Sequence, residues 1–300
     1  MVIITEMAHP NNTTEELLRH MDLEALEVNL FRGESRDIGR PRVFGGHVLA
    51  QSILAASRTI DEGTIHSLHA YFLRAGDAKA PIVYNVDRSR DGRSFKSRRV
   101  VAIQHGRPIF TLAASFQLEQ DGLEHQLEMP EVPPPEDLTS DTDIPEDRLA
   151  KVPPLLRRWF TRTGPFDFRP VHKTDVFHPH PQPPHSDIWF RLSDKIDAPD
   201  TMHRALLAYA SDFYLVGTAT LPHGISFIQP NLTMDSLDHA MWFHRPVRVD
   251  DWLLYSCDSP SASGGRGLAR GSIYDREGRL VASTAQEGMI RLKEIQEESS

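Results

Sequence analysis

Three polar residues in the last third of the chain, Asp212, Ser236 and Gln286, are of the types that hold a water molecule and take its proton. A carboxylate accepts a proton, while a hydroxyl and a primary amide both donate and accept hydrogen bonds. Asp212 falls in a helical pattern with Ala208, Tyr209, Leu215 and Val216 at helical spacing, which turns it toward the apolar face. A carboxylate there is costly unless it is paired, hydrogen-bonded or at a wet site. A buried Asp tying its helix to a neighbouring backbone fits that pattern equally well. Ser236 precedes Leu237-Asp238-His239 at the entrance to a strand, and Gln286 lies mid-strand among Thr284, Ala285 and Glu287. Taken singly, these two read as a cap and a solvated strand residue.

Other groups are weighed against this trio. Between Arg88 and Arg99 stand Arg88, Arg90, Arg93, Lys96, Arg98 and Arg99 against Asp91, a confined positive site on a chain of net charge −9. Arginine forks match phosphate oxygens, so the segment is either a solvated turn or a docking point for a phosphorylated small molecule. The acidic total argues against nucleic-acid binding, which calls for a basic excess. His178, His180 and His185 are separated by prolines on a loop and offer no evident metal geometry. Asp238 and His239 are adjacent on a strand, face opposite sides and cannot form a dyad with each other. There is no Gly-x-Ser-x-Gly elbow for a serine nucleophile. The single cysteine, Cys257, excludes an intrachain disulfide and a multi-cysteine metal site. No apolar run approaches the roughly 20 residues of a membrane span, and Met1 to Pro10 does not read as a secretory signal, so a cytoplasmic location is expected.

The elements that must position these groups come in two similar sets. Ala-rich helices are expected at Gly46 to Arg58 and Met202 to Gly217. Strands are expected near 65–74, 81–88, 94–104 and 107–118, then near 233–245, 250–258, 266–275 and 279–292. His69-Ala70-Tyr71-Phe72-Leu73-Arg74 is echoed by His239-Ala240-Met241-Trp242-Phe243-His244-Arg245, and Gly106-Arg107-Pro108-Ile109 by Gly278-Arg279-Leu280-Val281. A repeated helix followed by antiparallel strands implies an α+β architecture in which each sheet wraps a helix, a double hotdog. The expected boundaries are an N-terminal unit at 1–120, a Pro-rich acidic linker at 121–163, a C-terminal unit at 164–293 and a tail at 294–300. A short amphipathic piece is expected around Leu155 to Phe160, and strands at Phe166 to Pro170 and Asp187 to Leu192. On the Gly-Arg alignment Gln286 matches Ala114, and the stretch Ile53-Leu54-Ala55-Ala56 offers no counterpart to Asp212.

Five stretches, taken together, carry a resemblance: Val43-Phe44-Gly45-Gly46-His47, Arg90-Asp91-Gly92-Arg93-Ser94-Phe95, Tyr209-Ala210-Ser211-Asp212, Leu237 to Arg245, and Ala282 to Gly288. In this order, and covering about Leu17 to Arg291, the chain resembles the acyl-CoA thioesterase II family. The resemblance implies hydrolysis of fatty acyl-CoA to fatty acid and CoA without a cofactor or metal. It implies a water activated by Asp212, Ser236 and Gln286, with Ser236 standing where many relatives carry Thr. It further suggests Gly46, His47, Arg90, Arg93, Ser94 and Phe95 as substrate-binding residues, and a homodimer or homotetramer. Two rivals remain at this stage, a hotdog hydratase or dehydratase and a non-catalytic acyl-CoA-binding protein.

Overall fold

A computed structural model describes residues 13–36, 42–143, 149–150, 152 and 164–293. The amphipathic piece at Leu155 to Phe160, the first twelve residues and the tail lie outside the described residues. The first half contains α1 (Thr14–Met21), β1 (Glu24–Glu27), β2 (Leu30–Gly33), α2 (Gly45–Ser57), β3 (Thr64–Phe72), β4 (Ile82–Asp91), β5 (Phe95–Gln104) and β6 (Arg107–Gln117). The second half contains β7 (Phe166–Pro170), β8 (His185–Leu192), α3 (Asp200–Ser211), a 3-10 helix (Val216–His223), β9 (Leu232–Ser236), β10 (Asp238–Phe243), β11 (Leu253–Ser263), β12 (Arg266–Asp275) and β13 (Leu280–Leu292).

The strands form one antiparallel 13-stranded sheet in the order β1-β2-β4-β5-β6-β3-β10-β13-β12-β11-β8-β7, with β9 paired to β13. Each half of that order mirrors the other, so the expected two helix-wrapping sheets are present and are fused through β3 and β10. The repeated segments seen in the sequence meet there: His69 lies opposite Ala240, and Ala70 opposite His239. Both echoed Gly-Arg turns carry a glycine in the left-handed region, Gly106 at φ 72° and Gly278 at φ 80°, where a side chain would be strained.

Alternation along the strands sends Leu68, Ala70, Leu112, Ala114, Met241 and Ala282 to one face, onto which α2 and α3 pack. Every residue of α2 from Gly46 to Ala56 is buried, as expected of a helix enclosed on all sides. One hydrophobic core therefore spans both halves. A second cluster, Trp189, Trp252, Leu254 and Tyr274, is covered by Met129, Val132 and Leu138 of the Pro-rich segment. That segment has little regular structure yet is strapped down: Trp189 donates to the Pro133 carbonyl (2.9 Å), and Arg276 pairs with Glu136 at 2.8 Å.

Two expected elements differ. The helix drawn from Met202 to Gly217 ends at Ser211, because Tyr214 adopts a left-handed φ of 65° and interrupts the spiral. Its hydroxyl bonds the Asp141 carboxylate of the linker, which holds that turn in place. The strand expected at 233–245 is two strands. The register against β13 slips by one residue at Leu237, and the Asp238 carboxylate accepts the Glu287 N–H (2.6 Å) at the slip.

Candidate active site

Asp212 is the C-cap of α3, with φ −80° and ψ −7°, rather than a residue inside the helix. Its side chain is 5 % exposed. A carboxylate at the carboxyl end of its own helix sits at the wrong pole of the helix dipole. The fold reverses this, because the amino end of α2 meets the carboxyl end of α3. The Gly46 N–H donates to Asp212 Oδ2 at 2.8 Å, and Gln286 Nε2 donates to Oδ1 at 2.8 Å. The first half thus supplies an orphan helix amide and a favourable dipole, and the second supplies the acid and the amide side chain.

The approach of the two helices depends on a glycine pair. A Cβ on Gly45 would lie 2.6 Å from Asp212 Oδ2 and 2.9 Å from the Phe72 ring, and one on Gly46 would lie 2.3 Å from the Tyr209 carbonyl oxygen. Neither residue has a positive φ, so close approach rather than backbone freedom requires them.

Gln286 is fully buried near the middle of β13, not on a solvated face. Its Oε1 has no hydrogen-bond partner among the described residues. With Nε2 committed to Asp212, the amide orientation is fixed and leaves an acceptor ready for an O–H. Ser236 ends β9 opposite Gly288 and is half-buried. Cross-strand partners share a sheet face, as do residues two apart on a strand, so Ser236 lies on the face of Gln286. Such diagonal neighbours stand roughly 7–8 Å apart at Cα, room for a small molecule between the side chains. Between them Gly288 carries no side chain because Val216 packs directly onto its backbone, where a Cβ would meet Val216 at 2.4 Å.

One group near Asp212 escapes sequence reasoning. His239 is completely buried on β10, and its Nδ1 lies 4.0 Å from Asp212 Oδ1. Its Nε2 is 3.1 Å from the hydroxyl of Ser211. Burial lowers its pKa to about 4, so the ring is neutral near pH 7. Only the pairing of β10 with β3 and β13 beneath α3 brings residues 212 and 239 together, and no spacing in the chain signals it.

The remaining residues expected to bind substrate are spread out. Gly46 is in the site through its N–H. His47 is enclosed in the first half, Nε2 at the Glu34 carbonyl (2.9 Å) and its ring against His20; desolvation lowers its pKa to about 3. The hairpin of Arg90, Arg93, Ser94 and Phe95 is exposed. Phe95 lies beside Gln117, which pairs with Thr64 at the start of β3, whereas Phe72 at its end touches the site. The length of β3, roughly 26 Å at about 3.3 Å per residue, separates the hairpin from Asp212. Arg98 is not a surface charge at all. It is 2 % exposed and spans Thr59 Oγ1 (2.8 Å), the Thr59 carbonyl (3.0 Å) and Asp91 (2.5 Å). Among the described residues no group of three or more His, Cys, Asp or Glu gathers to hold a metal ion. His178 contacts Asp175 (3.3 Å) and His185 contacts Asp187 (2.8 Å) as separate pairs.

A dry carboxylate held on both oxygens by N–H donors, beside an unpaired amide acceptor and a hydroxyl, can orient a water and take its proton. Comparison with known proteins identifies the family. Residues 156–289 match the family model described as acyl-CoA thioesterase, and residues 32–117 that of the acyl-CoA thioesterase N-terminal domain. The chain is 40 % identical to acyl-CoA thioesterase 2 of Haemophilus influenzae, covering 93 % of this chain and 98 % of that one. It is 42 % identical to acyl-coenzyme A thioesterase 8 of Homo sapiens, covering 91 % and 88 %. The crystal structure of an acyl-CoA thioesterase II from Mycobacterium marinum superposes with a TM-score of 0.75 at 43 % identity, covering 92 % and 98 %. With relatives this similar along nearly its whole length, the chain belongs to the acyl-CoA thioesterase II family.

Proposed function

We propose that this chain hydrolyses fatty acyl-CoA thioesters by direct attack of water, with Asp212 as the base and Ser236 and Gln286 completing the water's hydrogen bonds. The observation that carries this reading is the Asp212 carboxylate suspended between the Gly46 N–H and Gln286 Nε2. The water oxygen bonds the thioester carbon while its proton passes to Asp212. Negative charge collects on the carbonyl oxygen, and the C–S bond then breaks. The leaving thiolate, with a pKa near that of a free cysteine at about 8.5, needs little acid help and takes the proton from Asp212. Asp212→Asn keeps the shape of the side chain and removes the base. It is expected to lower kcat by about 10²-fold to 10⁴-fold for thiol release from palmitoyl-CoA; unchanged turnover would remove Asp212 from the mechanism.

A hydratase would use a His and a carboxylate facing the α and β carbons of its substrate. His239 does approach Asp212, but its Nε2 meets the Ser211 hydroxyl and its Nδ1 faces the carboxylate itself, so neither ring nitrogen is left for an acyl chain.

The two-unit division with a linker at 121–163 belongs to this proposal, supported by the mirrored strand order. Contact of Arg90, Arg93, Ser94 and Phe95 with the CoA phosphates requires the substrate to extend along the sheet away from Asp212, and His47 would act from within the first half. Assembly into homodimers or homotetramers is supported by the exposed Tyr71, Trp242 and Leu268 on the outer face of the sheet; light scattering tests it. No described helix is long and apolar enough to cross a membrane, and a cytoplasmic setting is proposed.

A further inference from the structure

We infer that His239 is a positioning residue for Asp212, holding the carboxylate through an Nδ1–H directed at Oδ1 and kept in that tautomer by the Ser211 hydroxyl. The inference rests on Asp212 acting as the base.

The geometry leaves two arrangements of the neutral ring. If Nε2 carries the proton and donates to Ser211 Oγ, the Nδ1 lone pair faces Asp212 Oδ1 across 4.0 Å of solvent-free interior. Nδ1 is then a buried acceptor with no partner among the described residues, set against a negative oxygen, and both features are unfavourable. If Ser211 donates to Nε2, Nδ1 carries the proton and its dipole points at the carboxylate. The second arrangement converts a repulsion into an attraction, and a small approach turns it into a hydrogen bond. Ser211 has an alternative acceptor in the Ala208 carbonyl at 3.0 Å, so its proton selects between the two arrangements.

The surroundings favour this role over proton transfer. Asp212 is faced by His239 from β10 and by Tyr255 from β11; Gln286 carries no titratable group, and the amino end of α2 carries His47, which lies against the Glu34 carbonyl and is kept neutral near pH 7 by desolvation. Burial pushes the Tyr255 phenol well up, so it stays protonated. Burial also keeps His239 neutral near pH 7, so its contribution is the direction of one N–H. Ser211 is next to Asp212 in the chain, and Tyr255 donates to the Ser211 carbonyl at 3.1 Å. Tyr255 in turn meets Thr284 at 2.8 Å. The turn that aims the base is therefore fastened to β10, β11 and β13 together.

The test uses two variants of similar size. Asn places an amide where Nδ1 stands and Gln where Nε2 stands. His239→Asn is expected to keep kcat for thiol release from palmitoyl-CoA within about threefold of the parent. His239→Gln is expected to lose about tenfold in kcat, with KM changed by less than about twofold. Losing an N–H aimed at a carboxylate favours its protonated form, so the acid limb of kcat/KM should rise by about one pH unit in His239→Gln. Equal losses in the two variants with the limb unmoved, or a His239→Gln enzyme as active as the parent, would overturn the inference. Should the buried His substitutions not fold, Ser211→Ala carries the test: it frees the tautomer and should shift the acid limb upward, and an unmoved limb refutes the role. An Asp212→Asn enzyme that keeps its turnover would sink the base assignment itself, an outcome separate from any result at His239.

Discussion

Replacing Gly45 by Ala separates the geometry of the base from the stability of the fold. The added methyl would stand 2.6 Å from Asp212 Oδ2 and 2.9–3.0 Å from two atoms of the Phe72 ring. Ordinary contact begins about 0.8 Å farther out, so the carboxylate or the ring must yield by that order. The ring is packed against Phe110 at 5.1 Å between centroids, whereas the atom met on Asp212 is the end of a short rotatable side chain, so the carboxylate gives way first. A displacement approaching 1 Å at a reacting group costs on the order of 10²-fold in rate. Stability moves less. Overpacking costs about 1–3 kcal/mol, while Ala for Gly in a helix returns up to about 1 kcal/mol. The net loss is then about 0–2 kcal/mol. Gly46→Ala is the contrast. Its methyl would meet a backbone oxygen, Tyr209 O, at 2.3 Å, and backbone of a buried helix cannot swing aside. Both helices must part, at about 3 kcal/mol or more. Thiol release from palmitoyl-CoA and urea unfolding read the two quantities independently. Wild-type kcat in a folded Gly45→Ala protein would refute the claim that contact with α2 fixes the carboxylate. So would equal destabilisation by the two substitutions.

Other consequences follow from the same contacts. Gln286→Ala removes the donor to Asp212 Oδ1; a hydrogen bond to a charged group is worth about 1.5–3 kcal/mol, so kcat should fall about 10-fold to 100-fold, measured by thiol release. Arg98→Leu strips the buried Thr59 hydroxyl and carbonyl of their donor and half-exposed Asp91 of its partner and should cost about 1–3 kcal/mol in urea unfolding while leaving kcat near normal. Stability should fall on acidification through the buried histidines. His47 and His239 titrate at about 3 and about 4 in the fold against about 6.5 unfolded. Below about 6.5 the unfolded chain binds protons that the folded chain does not, so their full contribution is present above that pH and is lost as pH falls toward the folded values. Between pH 7 and pH 5 each contributes a loss of about 2 kcal/mol; unfolding midpoints that stay flat across that interval would contradict the neutral, buried assignment.

Most of the fold was legible because it repeats simple patterns. The helix at Gly46 to Arg58 lies within a residue of α2, and the strands at 107–118 and 266–275 match β6 and β12 closely. Local chemistry without long apolar runs was not legible. Strand β1 is exposed throughout, β2 alternates but over only four residues, too few to stand out, and α1 is announced only by Thr13, whose hydroxyl accepts from Glu16 N at 3.2 Å. At the site, the pairing of Asp212 with Gln286 rested on the resemblance, since helix and strand periodicity cannot say which strand a helix end will meet. His239 was dismissed as a partner for Asp238, its neighbour in sequence. The same alternation that separates 238 from 239 sends His239 inward to Asp212.

Alignment of the helices by their ends changes the account of why only the second half carries the proposed base. The counterpart of Asp212 is not the stretch Ile53 to Ala56 but the residue capping α2, which is Arg58. A cation at a helix C-cap agrees with that helix's dipole, and Arg58 donates to the Leu23 carbonyl and to Asp22 at 2.8 Å. The first half thus places at this position a group that stabilises its own helix. The second half places there an anion that its own helix disfavours and that becomes tolerable only against the amino end of α2. An isolated second half would keep Asp212, Ser236 and Gln286 but lose the Gly46 N–H and the dipole behind it. Its carboxylate would face an open helix end of the wrong sign. The proposed trio lies in one half, yet its carboxylate is held only where both halves meet, and fusion of the two sheets through β3 and β10 holds them in that register.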